Sequence, residues 1–304
     1  MITISVPTSD DLEHLGEAPD GVEVLVWNGH GERPDGADRI ALFVGQYNAA
    51  PPDRAVLEAL PQLRIVQLTS AGVEPWLPVV PQGVALCNGR GIHGGSTAEL
   101  GFAGLLAVLR DLPAYRENQS AHVWERWQTG SLDGRRVLVI GAGDIGDRLA
   151  AASRVFGAET TTVARRARDG VRTMDELPAL LPEHDVVALA LPLTDDTRGL
   201  VDARFLAAMP DGAVLVNVAR GAVVDTDALL AELDSGRLCA FLDVTDPEPL
   251  PADHPLWDAP NLVLTPHVGG GTQGWERRAY RLVREQAERL RDGREPLNPV
   301  TDGY

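Results

Sequence analysis

A parallel α/β fold in two units is predicted by three observations. Residues 137–140 form a continuous apolar run that opens directly into Gly141-x-Gly143-x-x-Gly146 and then into DRLAAASRVFG, which has helical spacing. Short apolar runs alternate with helical or loop segments on both sides of that point. At 304 residues the chain is long enough for about two domains, each with its own core.

The glycine motif organises the rest. An apolar run without polar alternation reads as a strand buried on both faces. The turn after it needs glycine for a tight bend at Gly141, for backbone approach to a pyrophosphate at Gly143, and for close helix-to-strand packing at Gly146. The following helix aims its N-terminal N–H groups at the phosphates. This strand, turn and helix predict a Rossmann dinucleotide-binding domain.

Before it, candidate strands at 3–6, 22–27, 40–44, 63–68 and 84–87, with helical spacing at 56–60, predict a small parallel α/β unit. Its turns at Thr69-Ser70-Ala71-Gly72-Val73 and Asn88-Gly89-Arg90-Gly91 lie at carboxyl ends of strands, where exposed N–H groups suit a carboxylate; they are equally ordinary glycine-containing turns. Residues 96–118 read as one long helix with Ser96 and Glu99 as a capping box, buried either in the core or in a dimer interface. The segment HVWERWQTGSLDG follows as a polar connector with two aromatic anchors, Trp124 and Trp127.

After the motif the alternation resumes. A strand at 160–163 leads into Ala164-Arg165-Arg166-Ala167-Arg168. An acidic residue is expected near there to accept from the adenosine ribose; alanine and three arginines suit a 2′-phosphate instead. NADP(H) is therefore favoured, with NAD(H) as the alternative. Thr173 and Glu176 form a second capping box, and strands follow at 185–191, 213–218, 238–244 and 262–265. Between them lie helices at 203–209 and 226–235, the second capped by Asp225 and ended by Gly236. A last helix spans 275–291.

Composition excludes several chemistries. The formal net charge is −17, which repels nucleic acid and anionic membranes. The sequence contains no lysine, so Schiff-base, P-loop and lysine-base chemistries are absent. Cys87 and Cys239, the only cysteines, lie in apolar runs and are expected to be buried thiols, with neither a disulfide nor a metal site. A leader or membrane-spanning pattern is missing from MITISVPTSDD and from the rest, so a cytoplasmic protein is expected.

Arg220, Glu248 and His267 each sit just beyond the carboxyl end of a strand in the half of the sheet that follows the nucleotide loop. Hydride transfer to a 2-oxo acid needs such a set: a fork for the carboxylate, a proton donor for the oxygen, and a group orienting that donor. The segments VIGAGDIG, LPLTDDTRGL, VLVNVARGAVVDTDALLAEL, FLDVTDPEPLPADHPLW and TPHVGG carry a further point. In their order and spacing the chain resembles the D-isomer-specific 2-hydroxyacid dehydrogenase family along essentially its whole length.

The resemblance implies catalytic roles for Arg220, Glu248 and His267, and a substrate-carboxylate turn at Ser70, Ala71 and Gly72. It implies a cofactor set of Gly141, Gly143, Asp144, Ile145 and Gly146 in the phosphate loop and Arg165 and Arg166 at the ribose. Leu191, Pro192, Val218, Asp243, His267 and Gly269 complete that set, with Asp243 matching the aspartate that contacts the nicotinamide amide. It also implies a smaller flavodoxin-like parallel α/β substrate domain from residues 1–96 and 271–304, and a dinucleotide-binding domain from 97–270. Dimerisation helices at about 97–130 imply a homodimer. The arginines at 165 and 166 make the chain similar to NADPH-preferring glyoxylate and hydroxypyruvate reductases acting on a small 2-oxo acid. NAD-dependent D-2-hydroxyacid or 3-phosphoglycerate dehydrogenases, and nucleotide-sensing corepressors, are the alternatives.

Overall fold

The computed structural model describes residues 1–301, in two compact units: 1–93 with the segment from 271 onward, and 94–270. The first begins with strand β1 (Ile2–Val6), helix α1 (Ser9–Leu15), β2 (Val22–Val26), β3 (Ile40–Gly45), α2 (Arg54–Glu58), β4 (Ile65–Leu68) and β5 (Ala85–Cys87). The strands pair in parallel in the order β2-β1-β3-β4-β5. Every residue of β3 is buried, and its side chains alternate: Leu42 and Val44 enter one core with Ile4 and Val6, while Phe43 enters another with Leu57, Val66 and Trp76. That period of two is what a sheet covered on both faces requires.

Helix α1 is fixed locally by a reciprocal cap, in which the Thr8 side chain accepts from the Asp11 N–H and Asp11 accepts from the Thr8 N–H. Helix α2 sits two residues earlier than its apolar spacing predicts, because Leu60 precedes Pro61 and the residue before a proline is disfavoured in helical geometry.

The second unit contains α3 (Gly94–Leu109), α4 (Leu112–Ser120), β6 (Arg136–Ile140), α5 (Asp144–Val155), β7 (Glu159–Ala164), β8 (Val171–Thr173), α6 (Leu177–Leu180) and β9 (Val186–Leu189). It continues with α7 (Ala203–Ala208), β10 (Val214–Asn217), α8 (Thr226–Asp234), β11 (Cys239–Leu242) and β12 (Leu262–Leu264). All seven strands are parallel in the order β12-β11-β10-β9-β6-β7-β8. The order reverses at β6, so a crevice opens between its carboxyl end and that of β9, the place where such sheets bind ligands.

The single helix predicted over 96–118 is two helices. Pro113 lies in the first turn of α4 and cannot donate to the turn before it, so α3 stops at Leu109 and Asp111 takes a left-handed φ of 50°. Helix α3 also starts at Gly94, which puts Ser96 inside the first turn rather than at a cap. A Cβ on Gly104 would stand 2.2 Å from the Phe241 ring and one on Gly101 2.9 Å from Val218, so α3 lies directly on β10 and β11 through its glycines. The connector after α4 is pinned by Trp127, which stacks on Tyr115 at 4.1 Å and donates to Asp111 at 2.8 Å; Trp124 is 94% exposed.

The chain then returns to the first unit as α9 (Trp275–Arg291), which buries Ala279, Tyr280, Val283, Gln286, Ala287 and Leu290 as one stripe against the β1 and β3 side of the sheet. The segment after it closes the β5 edge, with Asn88 N–H donating to Asn298 O and Val300 N–H to Leu86 O. Cys87 is buried, but Cys239 is only half-buried, because it opens a strand rather than sitting in its middle. Among the described residues, no helix is long and apolar enough to cross a membrane and no cluster of side chains is arranged to hold a metal.

Candidate active site

The turn between β6 and α5 shows what each glycine does. Gly141 has φ 118°, and a Cβ there would lie 2.1 Å from Ala190 O; a Cβ on Gly146 would lie 1.8 Å from Gly141 O. Gly143 differs: its backbone is extended and a Cβ would meet nothing within 4 Å. Two glycines are therefore demanded by the fold, and the third leaves open space in front of the amino end of α5. That opening, with the unpaired N–H groups of the first helical turn behind it, fits a dinucleotide pyrophosphate. Asp144 opens the helix but turns its carboxylate sideways. One oxygen accepts from Arg148 at 2.8 Å, and the other is buried without a partner among the described residues, packed where a Cβ on Gly94 would stand.

At the end of β7, Ala164 is half-buried and Arg165 and Arg166 are exposed. Arg168 reaches back to the glycine loop itself, donating to Ala142 O at 2.6 Å with Asp147 3.9 Å away. Spacing alone marks three arginines; only the fold shows which of them is anchored on the loop.

Three further strand ends carry the ionisable set. Beyond β10, the Asn217 side chain accepts from Ala219 N–H and donates to Arg220 O, which fixes the turn that presents Arg220. Gly221 follows, and a Cβ there would lie 1.8 Å from Thr245 O, so only glycine lets the Arg220 turn lie against the loop after β11. That loop carries Glu248 between two cis peptide bonds, Asp246-Pro247 and Glu248-Pro249. Beyond β12, His267 has φ 53°, a left-handed backbone that a non-glycine residue holds only under constraint.

The constraint comes from Asp243, which is 2% exposed. Its backbone carbonyl accepts from the His267 N–H at 2.7 Å, and its carboxylate accepts from the Thr265 hydroxyl at 2.6 Å, Val268 N–H at 2.9 Å and Gly269 N–H at 2.9 Å. His267 Nδ1 then meets Glu248 Oε1 at 2.5 Å, which leaves Nε2 as the ring atom available to a reactant. Both side chains stay open to solvent, at 46% and 39% exposure. A cavity of about 300 Å³ lies against the pair, walled by Leu250, Trp257, Leu264 and Pro266. Leu191 and Val218 are buried at neighbouring strand ends, and Pro192 is exposed, with its carbonyl accepting from the Thr197 hydroxyl at 2.8 Å.

A second cleft of about 340 Å³ at the amino ends of β6 and β7 holds no free histidine. His184 there meets Leu180 O with Nδ1 and the Thr161 hydroxyl with Nε2.

The turn at 70–72 belongs to the smaller unit. Ser70 donates to Gly72 O at 2.8 Å and accepts from Gly89 N–H at 2.6 Å, and Gly89 has no room for a Cβ, which would stand 2.5 Å from Thr69 O. The Gly72 N–H has no acceptor among the described residues, and the Thr69 hydroxyl is buried without a partner. Both can serve an anion. Thr69 lies in the turn that the sequence marks, whereas Asn217, Gly221 and Thr265 were not singled out by sequence reasoning; Gly221 directly after Arg220 is the one signal that was present for them.

Residues 102–269 match the family profile described as D-isomer specific 2-hydroxyacid dehydrogenase, NAD binding domain. A glyoxylate reductase of Aeropyrum pernix is 33% identical over 82% of this chain and 79% of its own length. Among solved structures, a D-isomer specific 2-hydroxyacid dehydrogenase of Xanthobacter autotrophicus in complex with NADPH and MES is 29% identical, with a TM-score of 0.85 over 99% of this chain and 98% of that one. The NADPH-dependent glyoxylate/hydroxypyruvate reductase of Sinorhizobium meliloti, in complex with NADP and sulfate, is 27% identical, with a TM-score of 0.83 over 98% and 97%. A glycine loop in which two glycines are demanded by the fold and the third opens onto a helix N-terminus, a histidine bonded to a glutamate, and these likenesses agree: the chain belongs to the D-isomer-specific 2-hydroxyacid dehydrogenase family of NAD(P)-dependent oxidoreductases.

Proposed function

We propose that this enzyme reduces a 2-oxo acid to the D-2-hydroxy acid with NADPH, working as a cytoplasmic homodimer. The observation that carries the reading is the 2.5 Å contact between His267 Nδ1 and Glu248, on a loop that Asp243 holds in a left-handed turn. A bound nicotinamide would supply the hydride. His267 gives the proton from Nε2 to the developing alkoxide, while Glu248 fixes the ring and balances its charge. Arg220 binds the substrate carboxylate and polarises the carbonyl; in the smaller unit, the turn at Ser70 to Gly72 is the second element suited to a carboxylate. General acid catalysis of this kind contributes about 10²–10⁴-fold.

Ala164 in place of the expected acid, followed by Arg165 and Arg166, supports NADP(H) over NAD(H). The exposed Leu112, Val123 and Trp124 on α4 and the connector support the homodimer, and two free thiols suit a reducing compartment. Glyoxylate and hydroxypyruvate are the compact end of the substrate class. The test is the initial rate of NADPH and NADH oxidation with glyoxylate, hydroxypyruvate, pyruvate and phenylpyruvate. Consumption of NADPH with any of them supports the reading. A change of oligomeric state on NADPH binding with no consumption would replace it with a nucleotide sensor.

A further inference from the structure

At the carboxyl edge of the smaller unit's sheet, three separate elements bring three aromatic rings together. Tyr47 follows β3, His93 follows the turn after β5, and Trp275 opens α9. The ring centres lie 4.4 Å apart for Tyr47 and Trp275, 5.0 Å for Tyr47 and His93, and 5.3 Å for His93 and Trp275. His93 is 7% exposed, and its Nε2 donates to Thr69 O at 2.9 Å, so the cluster is bonded to the residue before the Ser70 to Gly72 turn. We propose that Tyr47, His93 and Trp275 form the wall that receives the substrate's side chain, so that the preferred 2-oxo acids carry an aromatic or bulky apolar group, as phenylpyruvate does, rather than the hydrogen of glyoxylate or the hydroxymethyl of hydroxypyruvate.

The inference rests on the proposed reduction of a 2-oxo acid and adds the substrate's side chain to it. Two features of the anion turn fix where the ligand's charged end goes: the Gly72 N–H without an acceptor among the described residues, and the buried, unpartnered Thr69 hydroxyl. The peptide carbonyl of that same threonine accepts from His93 Nε2, so the aromatic cluster is bonded directly to the anion turn.

The rings are not simply interior packing. Tyr47 is outside every hydrophobic core formed by the described residues, and both Tyr47 and Trp275 are half-buried, keeping ring surface open beside a polar turn. Burial pushes the Tyr47 phenol up, so that ring stays neutral at physiological pH. It is also held in place before any ligand arrives, because Arg278 on α9 donates to Ile92 O at 2.6 Å, next to His93. A preformed aromatic face gains contact with an aryl or branched side chain and has little to offer a hydroxymethyl group.

The experiment measures kcat/KM with NADPH for glyoxylate, hydroxypyruvate, pyruvate and phenylpyruvate in the unmodified enzyme, Trp275→Leu and Tyr47→Leu. The expected result is a phenylpyruvate-to-glyoxylate ratio of about tenfold or more, falling about tenfold in each variant. A ratio at or below one in the unmodified enzyme, or one that neither variant changes, overturns the wall while leaving the reduction itself intact. If none of the four acids is consumed, the reduction fails instead. The wall is then judged by calorimetric titration of phenylpyruvate with NADPH present: binding that Trp275→Leu weakens supports it, and no binding refutes it.

Discussion

The three glycines of the phosphate loop make opposite predictions for one added methyl group. On Gly146 the Cβ would stand 1.8 Å from Gly141 O and 3.2 Å from a Val139 methyl, both fixed parts of the strand and turn. Overpacking of that kind costs about 1–3 kcal/mol, and for a unit of this size about 2 kcal/mol lowers Tm by roughly 4–8 °C. On Gly143 the Cβ meets nothing within 4 Å, and φ −106°, ψ −171° is extended backbone that alanine adopts freely. Alanine is a poorer N-cap than glycine but restricts the unfolded chain, and each effect is about 1 kcal/mol or less in opposite directions. Gly143→Ala therefore melts close to the parent. Its methyl fills the opening before the helix and blocks a charge-assisted hydrogen bond to the pyrophosphate, worth about 1.5–3 kcal/mol, or roughly 10–150-fold in NADPH affinity. Thermal melts without nucleotide, paired with NADPH titration, separate the two. A Gly143→Ala protein that keeps the parent's affinity would refute the assignment of the pyrophosphate to this opening.

His267→Gln should lose at least about 10²-fold in turnover while binding NADPH with the parent's affinity, measured by steady-state rates and titration; equal loss of binding would make the residue structural. Asp202 caps α7 by accepting from the Phe205 N–H at 2.8 Å, so Asp202→Ala should cost about 1 kcal/mol in a denaturant melt while Asp202→Asn costs little. The Arg237 guanidinium, hydrogen-bonded to Glu232 at 2.6 Å, holds that carboxyl below the usual range. Its stabilisation is complete at neutral pH and is lost as pH falls through the lowered folded-state value. The Tm difference between the parent and Glu232→Gln should therefore be full at pH 7 and vanish in strong acid.

What the sequence made legible follows from how each feature is held. Strands covered on both faces must be apolar throughout, so β3, β6, β9, β10 and β11 stand out, and α9 is bounded by its stripe and by flanking glycines at 274 and 293. The break at Asp111 was equally readable from Pro113, but the apolar run through Leu109 hid it. Strand β8, three residues long with an arginine at its centre, carries no pattern at all. In the site, strand ends announce Arg220, Glu248 and His267. The four hydrogen bonds that Asp243 directs at the 265–269 turn are tertiary, between the end of one strand and the turn after the next, and no spacing rule reports them. The same holds for Arg168 on the glycine loop and for Tyr47 meeting Trp275, which lie far apart in sequence.

The return of the chain to its first unit sets an order of events during synthesis. The unit of residues 94–270 is continuous and can close as soon as β12 has left the ribosome. The other emerges first but finishes last, since Ile4, Val6, Leu42 and Val44 wait for Ala279, Val283, Ala287 and Leu290 of α9 to cover them. Until then that face of its sheet is covered only in part, by Leu15 of α1, and leaves hydrocarbon for chaperones to hold. A chain interrupted before α9 would carry a finished nucleotide-binding unit behind a partly covered sheet, a form that cellular quality control is equipped to detect.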